Sequence, residues 1–148
     1  MIEAVKRLAA LKSYHMKVEW DGAEEDGTEG GELEGDFLFG MVTNAISVGG
    51  FKGLVKEEVK LDDGIFEGLF IRMPKTPLEL SNIVSYLLVH DGKENECVKR
   101  IRSGRIRVHS EEPVDWVLDG EFGGTKTDVI IENLREKIEI RRIPLKKR

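Results

Sequence analysis

Three short segments carry residue types and spacings that could do chemistry, and the first is Asp119-Gly120-Glu121. A carboxylate held at the end of a strand can accept a proton from a substrate hydroxyl and orient that hydroxyl for attack. The same Asp-Gly pair is also common in tight hairpin turns, because glycine adopts positive φ without steric cost. The spacing is therefore compatible with a catalytic carboxylate and with a purely structural turn.

The second segment is Lys60-Leu61-Asp62-Asp63-Gly64, which also ends in an Asp-Gly turn. Turn carbonyls and one carboxylate can gather around a small hard cation such as Mg²⁺, with water completing the octahedron. A turn of this kind would present those carbonyls, so the structural and the metal-binding interpretations are compatible.

The third segment runs from Asn44 to Gly50 and contains the pair Gly49-Gly50. Glycines let the backbone approach a phosphate closely. No Lys-Ser or Lys-Thr follows the pair, so this is not a phosphate-binding P-loop. Elsewhere, Cys97 is the only cysteine, which excludes an internal disulfide and a multi-cysteine zinc site. The three histidines lie too far apart for a familiar zinc spacing.

Many short strands, one helix and intervening turns are predicted to position these segments. Two strands form a hairpin with a long, acidic and glycine-rich tip, and a strand after the Asp63-Gly64 turn leads to a helix that starts after two prolines. The later part alternates in short β-like runs. The predicted elements are a helix over 1–13, strands over 15–20, 32–44 and 65–73, a helix over 78–89, and strands over 98–103, 105–110, 114–118, 129–131 and 138–140.

Length and composition limit the possible classes of protein. The chain has 148 residues, 40% of them hydrophobic and 34% charged, which indicates one globular domain. No apolar run is long enough for a membrane-spanning helix, and the first residues do not form a secretory signal. The net charge of −5 disfavours nucleic-acid binding. The basic segment from Arg135 to Arg148 is typical of a solvated terminus, or of a segment that contacts anionic lipid or nucleic acid.

Six segments, taken in order, resemble the C-terminal half of the bacterial diacylglycerol kinase-like lipid kinases, the diacylglycerol/sphingosine kinase family. They are Gly35–Asn44, Ser47–Phe51, Lys60–Glu67, Pro77–Leu80, Ser110–Trp116 and Leu118–Glu121. The resemblance covers nearly the whole chain. It implies a mainly β fold with some α: the β-sandwich-like C-terminal domain of the NAD kinase/diacylglycerol kinase-like fold, with one inserted helix.

The resemblance also implies roles for particular residues. Glu121 would be the general base for the lipid hydroxyl, and Asp119 would support it. A structural Mg²⁺ would be held by the backbone carbonyls of Lys60 and Ile65 and the carboxylate of Asp63. Asn44, Gly49 and Gly50 would lie near the cleft between two domains, where the family binds ATP.

The sequence departs from the family in one large respect, because the nucleotide-binding signature Gly-Gly-Asp-Gly-Thr is absent. We therefore expect a fragment: residues 1–13 as a helix from the domain junction and 14–148 as the lipid-binding and catalytic C-terminal domain. The start within a helical pattern fits this expectation, although a frayed natural N-terminus would look the same. ATP would bind mainly to the missing N-terminal domain, and the fragment alone would be inactive.

The expected setting is cytoplasmic, with peripheral contact at the inner face of the membrane. The expected partners are a lipid substrate and, through the exposed interdomain face, a second copy of the chain. Two alternatives remain open: a non-catalytic β-sandwich that binds lipid or protein, and a fragment of an NAD-kinase-like enzyme.

Overall fold

The computed structural model describes residues 10–22, 29–44, 63–89 and 95–134. Six strands and one helix lie in these ranges: β1 (Tyr14–Trp20), β2 (Gly31–Thr43), β3 (Phe66–Arg72), α1 (Pro77–Val89), β4 (Val98–Ser103), β5 (Arg105–Leu118) and β6 (Glu121–Glu132). The predictions for Gly49, Gly50, Lys60, the strand over 138–140, the basic terminus and most of the helix over 1–13 lie outside the described residues.

Alternation of apolar and polar side chains explains the first hairpin. Met16 and Val18 of β1 point to one face and are buried, while the intervening side chains are polar. β2 pairs antiparallel to β1, with Val18 opposite Leu33 and Trp20 opposite Gly31. Because side chains alternate across a strand, this register places the apolar side chains of both strands in the same core.

The strands form one antiparallel sheet in the order β4-β3-β2-β1-β5-β6. Four strand spacings therefore separate β4 from β5, about 19 Å in a flat sheet. Only Gly104 lies between the two strands in the sequence, and two residue steps span at most about 7 Å. The sheet must therefore curl strongly, so that the end of β4 meets the beginning of β5. β2 takes part in this bend, since residues 31–37 pair with β1 and residues 37–43 with β3.

The end of β4 and the beginning of β5 meet at a tight corner formed by Ser103 and Gly104. Ser103 is fully buried, and its Oγ lies 2.8 Å from the carbonyl oxygen of Asp21 and 2.7 Å from that of Arg105, while accepting the N–H of Arg105 at 3.0 Å. A Cβ at Gly104 would lie 3.0 Å from the carbonyl oxygen of Gly64. The absence of a side chain at this position lets the two backbones approach.

The hydrophobic core lies on the inner face of the curled sheet, where side chains from different strands pack against one another. The larger core cluster draws on five strands, and each fully buried aliphatic or aromatic side chain contributes roughly 1.5–3 kcal/mol. Its members are Met16, Val18, Leu33, Phe37, Phe70, Ile101, Ile106 and Val108. Phe37 and Phe70 meet edge to face, with ring centroids 6.0 Å apart.

The helix α1 covers part of the opposite face of the sheet. Ile83 packs against Leu69, Ile71 and Val98 in a second cluster. Pro77 opens the helix with a fixed φ, and Thr76 Oγ1 accepts the N–H of Glu79 at 3.2 Å. No helix in the described ranges is long and apolar enough to cross a membrane.

The predicted mainly β fold with one inserted helix is confirmed, and among the described residues its β-sandwich-like part is the curled six-stranded sheet. Two boundaries are wrong. The strand predicted over 129–131 is the end of β6, which begins at Glu121. The runs predicted as separate strands over 105–110 and 114–118 form the single strand β5. Its pairing with β6 is irregular between His109 and Val114, which brackets Pro113. A proline lacks the N–H that a regular ladder of hydrogen bonds needs, so the pairing is interrupted around Pro113 while the strand continues.

Candidate functional site

The Asp119-Gly120 pair is the two-residue turn that joins β5 to β6. Leu118 and Glu121 face each other across the turn. Asp119 has φ of 50° and Gly120 has φ of 88°, which is the pattern of a type I′ hairpin turn. The structural interpretation of the pair is therefore confirmed. It does not exclude the catalytic one, because the turn fixes Glu121 as the first residue of β6 with an exposed side chain.

The turn lies at the end of a two-stranded arm, here defined as residues 111–128. β1 pairs with β5 only as far as Ser110, so in the described part of the chain the rest of β5 pairs with β6 alone. Thr125 Oγ1 donates to Asp115 Oδ1 at 2.6 Å across the arm. Three residues before the turn, Trp116 is half-buried and packs against the larger core cluster. The arm thus extends beyond the pairing with β1 and still contacts the core through Trp116.

Large apolar side chains surround the turn and are exposed. Val117, Leu118 and Phe122 are 67%, 63% and 70% exposed. Val117 lies opposite Phe122, so the two side chains share one face of the arm, while Leu118 and Glu121 share the other. A carboxylate next to exposed apolar groups can contact both a polar and an apolar part of the same molecule. The sequence analysis had not singled out these apolar residues, although Val-Leu-Asp-Gly-Glu-Phe is visible in the sequence.

The Asp63 carboxylate is bound by groups of the chain itself. Its Oδ1 accepts the N–H of Ile65 at 2.9 Å, closing a local turn. Its Oδ2 lies 3.7 Å from Nη2 of Arg102, whose Nε donates to Oε1 of Glu67 at 2.7 Å. Glu67 and Arg102 are direct partners across β3 and β4. We name Asp63, Glu67 and Arg102 the β3–β4 charge cluster.

This cluster bears on the predicted magnesium site. A guanidinium already faces the only predicted carboxylate ligand, and no group of three or more metal-ligating side chains occurs among the described residues. The Asp63 carboxylate therefore does not fit a divalent cation in this arrangement. Lys60 lies outside the described residues, so the full ligand set stays a prediction.

The predicted site residues fall at two separate ends of the fold. Asn44 follows Thr43, which is paired with Glu67, and so lies at the end of the sheet that holds the β3–β4 charge cluster. Gly64 contacts the Gly104 corner, from which β5 begins. Glu121 lies beyond the other end of that strand, roughly 40 Å away along a strand of this length. The structure therefore brings Asn44 near Asp63 but brings neither to Asp119 or Glu121.

Cys97 and His15 have environments that clarify their chemistry. Burial raises the pKa of the Cys97 thiol, with Glu79 adding to the effect, so the thiolate that a nucleophile needs is disfavoured. His15 contacts two carboxylates, with Nδ1 2.9 Å from Asp36 Oδ1 and Nε2 3.4 Å from Glu34 Oε1. The bond to Asp36, and then that to Glu34, raises the pKa of this histidine.

The sequence is similar to that of a known enzyme. It is 25% identical over 123 residues to the diacylglycerol kinase of Bacillus subtilis (strain 168), a match that covers 83% of this chain and 37% of that protein. The chain thus spans a little over a third of the length of its curated relative. No protein-family model matches the chain.

Solved structures confirm the fold. A Bacillus anthracis (strain Sterne) protein, provisionally assigned as a diacylglycerol kinase, aligns with a TM-score of 0.63 and 19% identity, covering 90% of this chain and 42% of that one. A diacylglycerol kinase structure from the same organism aligns with a TM-score of 0.53 and 16% identity, covering 88% of this chain and 44% of the other. The resemblance to diacylglycerol kinase-like lipid kinases is thereby confirmed in sequence and in fold.

Proposed function

We propose that this chain is the C-terminal, lipid-binding and catalytic part of an ATP-dependent lipid kinase that phosphorylates a lipid hydroxyl such as that of diacylglycerol. The observation that carries the proposal is the sequence match to a diacylglycerol kinase over 83% of the chain. The geometry of the arm supports it, because an exposed carboxylate and exposed apolar side chains lie together around the Asp119-Gly120 turn.

In the proposed reaction, Glu121 accepts the proton of the lipid hydroxyl as its oxygen attacks the γ-phosphorus of ATP. The bond from the γ-phosphorus to the bridging oxygen breaks, ADP leaves, and the product is a lipid phosphate monoester. The proton then passes from Glu121 to solvent. Val117 and Phe122 would contact the apolar part of the lipid, and Asp119 would hold the turn that orients Glu121.

The nucleotide belongs to the part of the enzyme that lies outside this chain. Transfer of a γ-phosphoryl group depends mainly on positioning and on stabilising its negative charge. Asn44 and the Gly49-Gly50 pair stay candidates for the cleft toward that other part. We propose that the enzyme acts in the cytoplasm and contacts the inner face of the membrane peripherally, where it would reach its lipid substrate.

Replacement of Glu121 in the complete enzyme tests the proposal. Glu121→Gln keeps the shape of the side chain and removes the base, so we expect kcat to fall about 10²- to 10⁴-fold with KM for the lipid little changed. The measurement is phosphatidate formation from ATP and diacylglycerol in mixed micelles. Glu112→Gln, an exposed carboxylate on the same arm but away from its tip, is the matched control.

Normal turnover by the Glu121→Gln enzyme would remove Glu121 from the mechanism. A fall of the same size in Glu112→Gln would show a general charge effect of the arm. Circular dichroism of both variants separates either result from a loss of folding.

The second candidate function is a non-catalytic module that binds lipid or protein, and the exposed apolar tip of the arm favours it. The reading frame upstream of Met1 discriminates between the two. A Gly-Gly-Asp-Gly-Thr segment there supports the kinase, and its absence supports the binding module. An NAD-kinase-like enzyme is the remaining alternative, and a phosphorylation assay with NAD tests it directly.

A further inference from the structure

The β3–β4 charge cluster is a built, largely shielded arrangement of two carboxylates around one guanidinium. The side chains of Asp63, Glu67 and Arg102 are 17%, 12% and 30% exposed. Glu67 and Arg102 are held by direct cross-strand pairing, and Asp63 is held by the N–H of Ile65. The cluster therefore joins the turn before β3 to the β3–β4 pair.

Shielded carboxylates need a positive partner, because removing charge from water is costly unless the charge is paired. A divalent cation or a guanidinium can meet that need. The guanidinium has a planar set of donors that can serve two carboxylates at once, and it is charged at every physiological pH. Arg102 donates through Nε to Glu67 at 2.7 Å, and its Nη2 forms an ion pair with Oδ2 of Asp63 at 3.7 Å.

We propose that Arg102 takes the place that a structural divalent cation would otherwise take at this turn, so that the turn is metal-independent in this protein. Mg²⁺ requires oxygen ligands at about 2.0–2.1 Å in an octahedron. One oxygen of Asp63 is already used by the N–H of Ile65, and the other faces a positive charge. A cation at that oxygen would have to displace the guanidinium against its repulsion.

Metal titration of the unmodified 148-residue chain tests the first part. We expect no change in melting temperature greater than about 1 °C when MgCl2 replaces KCl at equal ionic strength, and no immobilised Mn²⁺ signal in electron paramagnetic resonance. A rise in melting temperature with Mg²⁺ that Asp63→Asn abolishes would overturn the proposal.

Two arginine variants test the second part. Arg102→Gln leaves two shielded carboxylates without this cation, so we expect its melting temperature to fall by about 5 °C or more and to recover partly when Mg²⁺ is added. Arg107→Gln is the matched control, because Arg107 pairs with Asp128 at 2.6 Å on the exposed face. We expect the melting temperature of this variant to fall only slightly.

Equal melting temperatures for the two variants would overturn the proposal, as would an Arg102→Gln protein that is destabilised but unaffected by Mg²⁺. If Arg102→Gln does not fold, Arg102→Lys replaces it. The lysine keeps the charge but not the planar fork, so we expect an intermediate loss and a partial Mg²⁺ response. These readouts are independent of kinase activity, so they stand or fall separately from the proposed function.

Discussion

At the residue scale, His15 shows how an exposed side chain can make stability depend on pH. It lies directly opposite Asp36 across β1 and β2, and Glu34 contacts its other ring nitrogen. Glu111 of β5 adds a favourable charge. Three carboxylates from two neighbouring strands thus favour the protonated imidazole, and its pKa is raised above the ordinary value of 6.5.

We predict that this contact stabilises the fold under mildly acidic conditions. Because the folded-state pKa is raised, the contribution is fully present below pH 6.5 and is lost as the pH rises through the higher folded value. Melting temperatures measured from pH about 5.5 to about 8.5 should fall more steeply for the unmodified protein than for His15→Gln. His109→Gln is the control, since Nδ1 of His109 lies 3.9 Å from Oδ2 of Asp128, beyond hydrogen-bond distance. Identical slopes for His15→Gln and the unmodified chain would contradict the prediction.

At the element scale, a single buried hydroxyl connects the segments that meet at the corner between β4 and β5. Ser103 is fully buried, and its oxygen serves both the N–H of Arg105 and a carbonyl. We predict that Ser103→Ala destabilises the fold by about 1–3 kcal/mol, because the buried N–H is left unpaired. Urea unfolding measures the loss. Thr125→Val removes an exposed hydroxyl from the arm and should cost less than about 0.5 kcal/mol. Comparable losses for the two variants would show that the corner does not depend on Ser103.

The elements also show what the sequence could and could not predict. The β1–β2 hairpin, α1 and the Asp119-Gly120 turn follow from local periodicity and turn chemistry, and all three were predicted. The strand order was not predicted. A β4–β5 connection of one residue is compatible with this order only when the whole sheet curls, and the curl has no local pattern in the sequence. The unbroken strand β5 was missed because Glu111, Glu112 and Pro113 interrupt the alternation at the point where the arm leaves the sheet.

The candidate site, like the fold, could be predicted only in part from the sequence. Carboxylates near turns are visible in a sequence, so Glu121 and Asp63 could be named from it. The partners that decide their chemistry come from distant segments: Arg102 reaches Asp63 from β4, and Phe122 acquires its cross-strand neighbour Val117 only through the register of the arm. Resemblance to a family predicts which residues to consider, whereas the pairing of strands determines what surrounds them.

At the scale of the whole molecule, charge and apolar surface are unevenly distributed. The net charge is −5, and the arm carries Glu111, Glu112, Asp115, Asp119, Glu121 and Asp128 against one lysine, Lys126. Its tip nevertheless exposes three large apolar side chains. If the proposed function is right, this acidic arm would meet an uncharged lipid such as diacylglycerol through its apolar tip more readily than an anionic one.

The last prediction follows from the share of the relative that this chain covers, 37% of its length. If the proposed function is right, the 148-residue chain supplies Glu121 but lacks a phosphoryl donor site. We therefore expect no phosphatidate when the chain is incubated with ATP, Mg²⁺ and diacylglycerol in mixed micelles. The complete enzyme under the same conditions is the positive control. Robust phosphatidate formation by the chain alone would show that these residues suffice for nucleotide binding, and the interpretation as one part of a larger kinase would then be wrong.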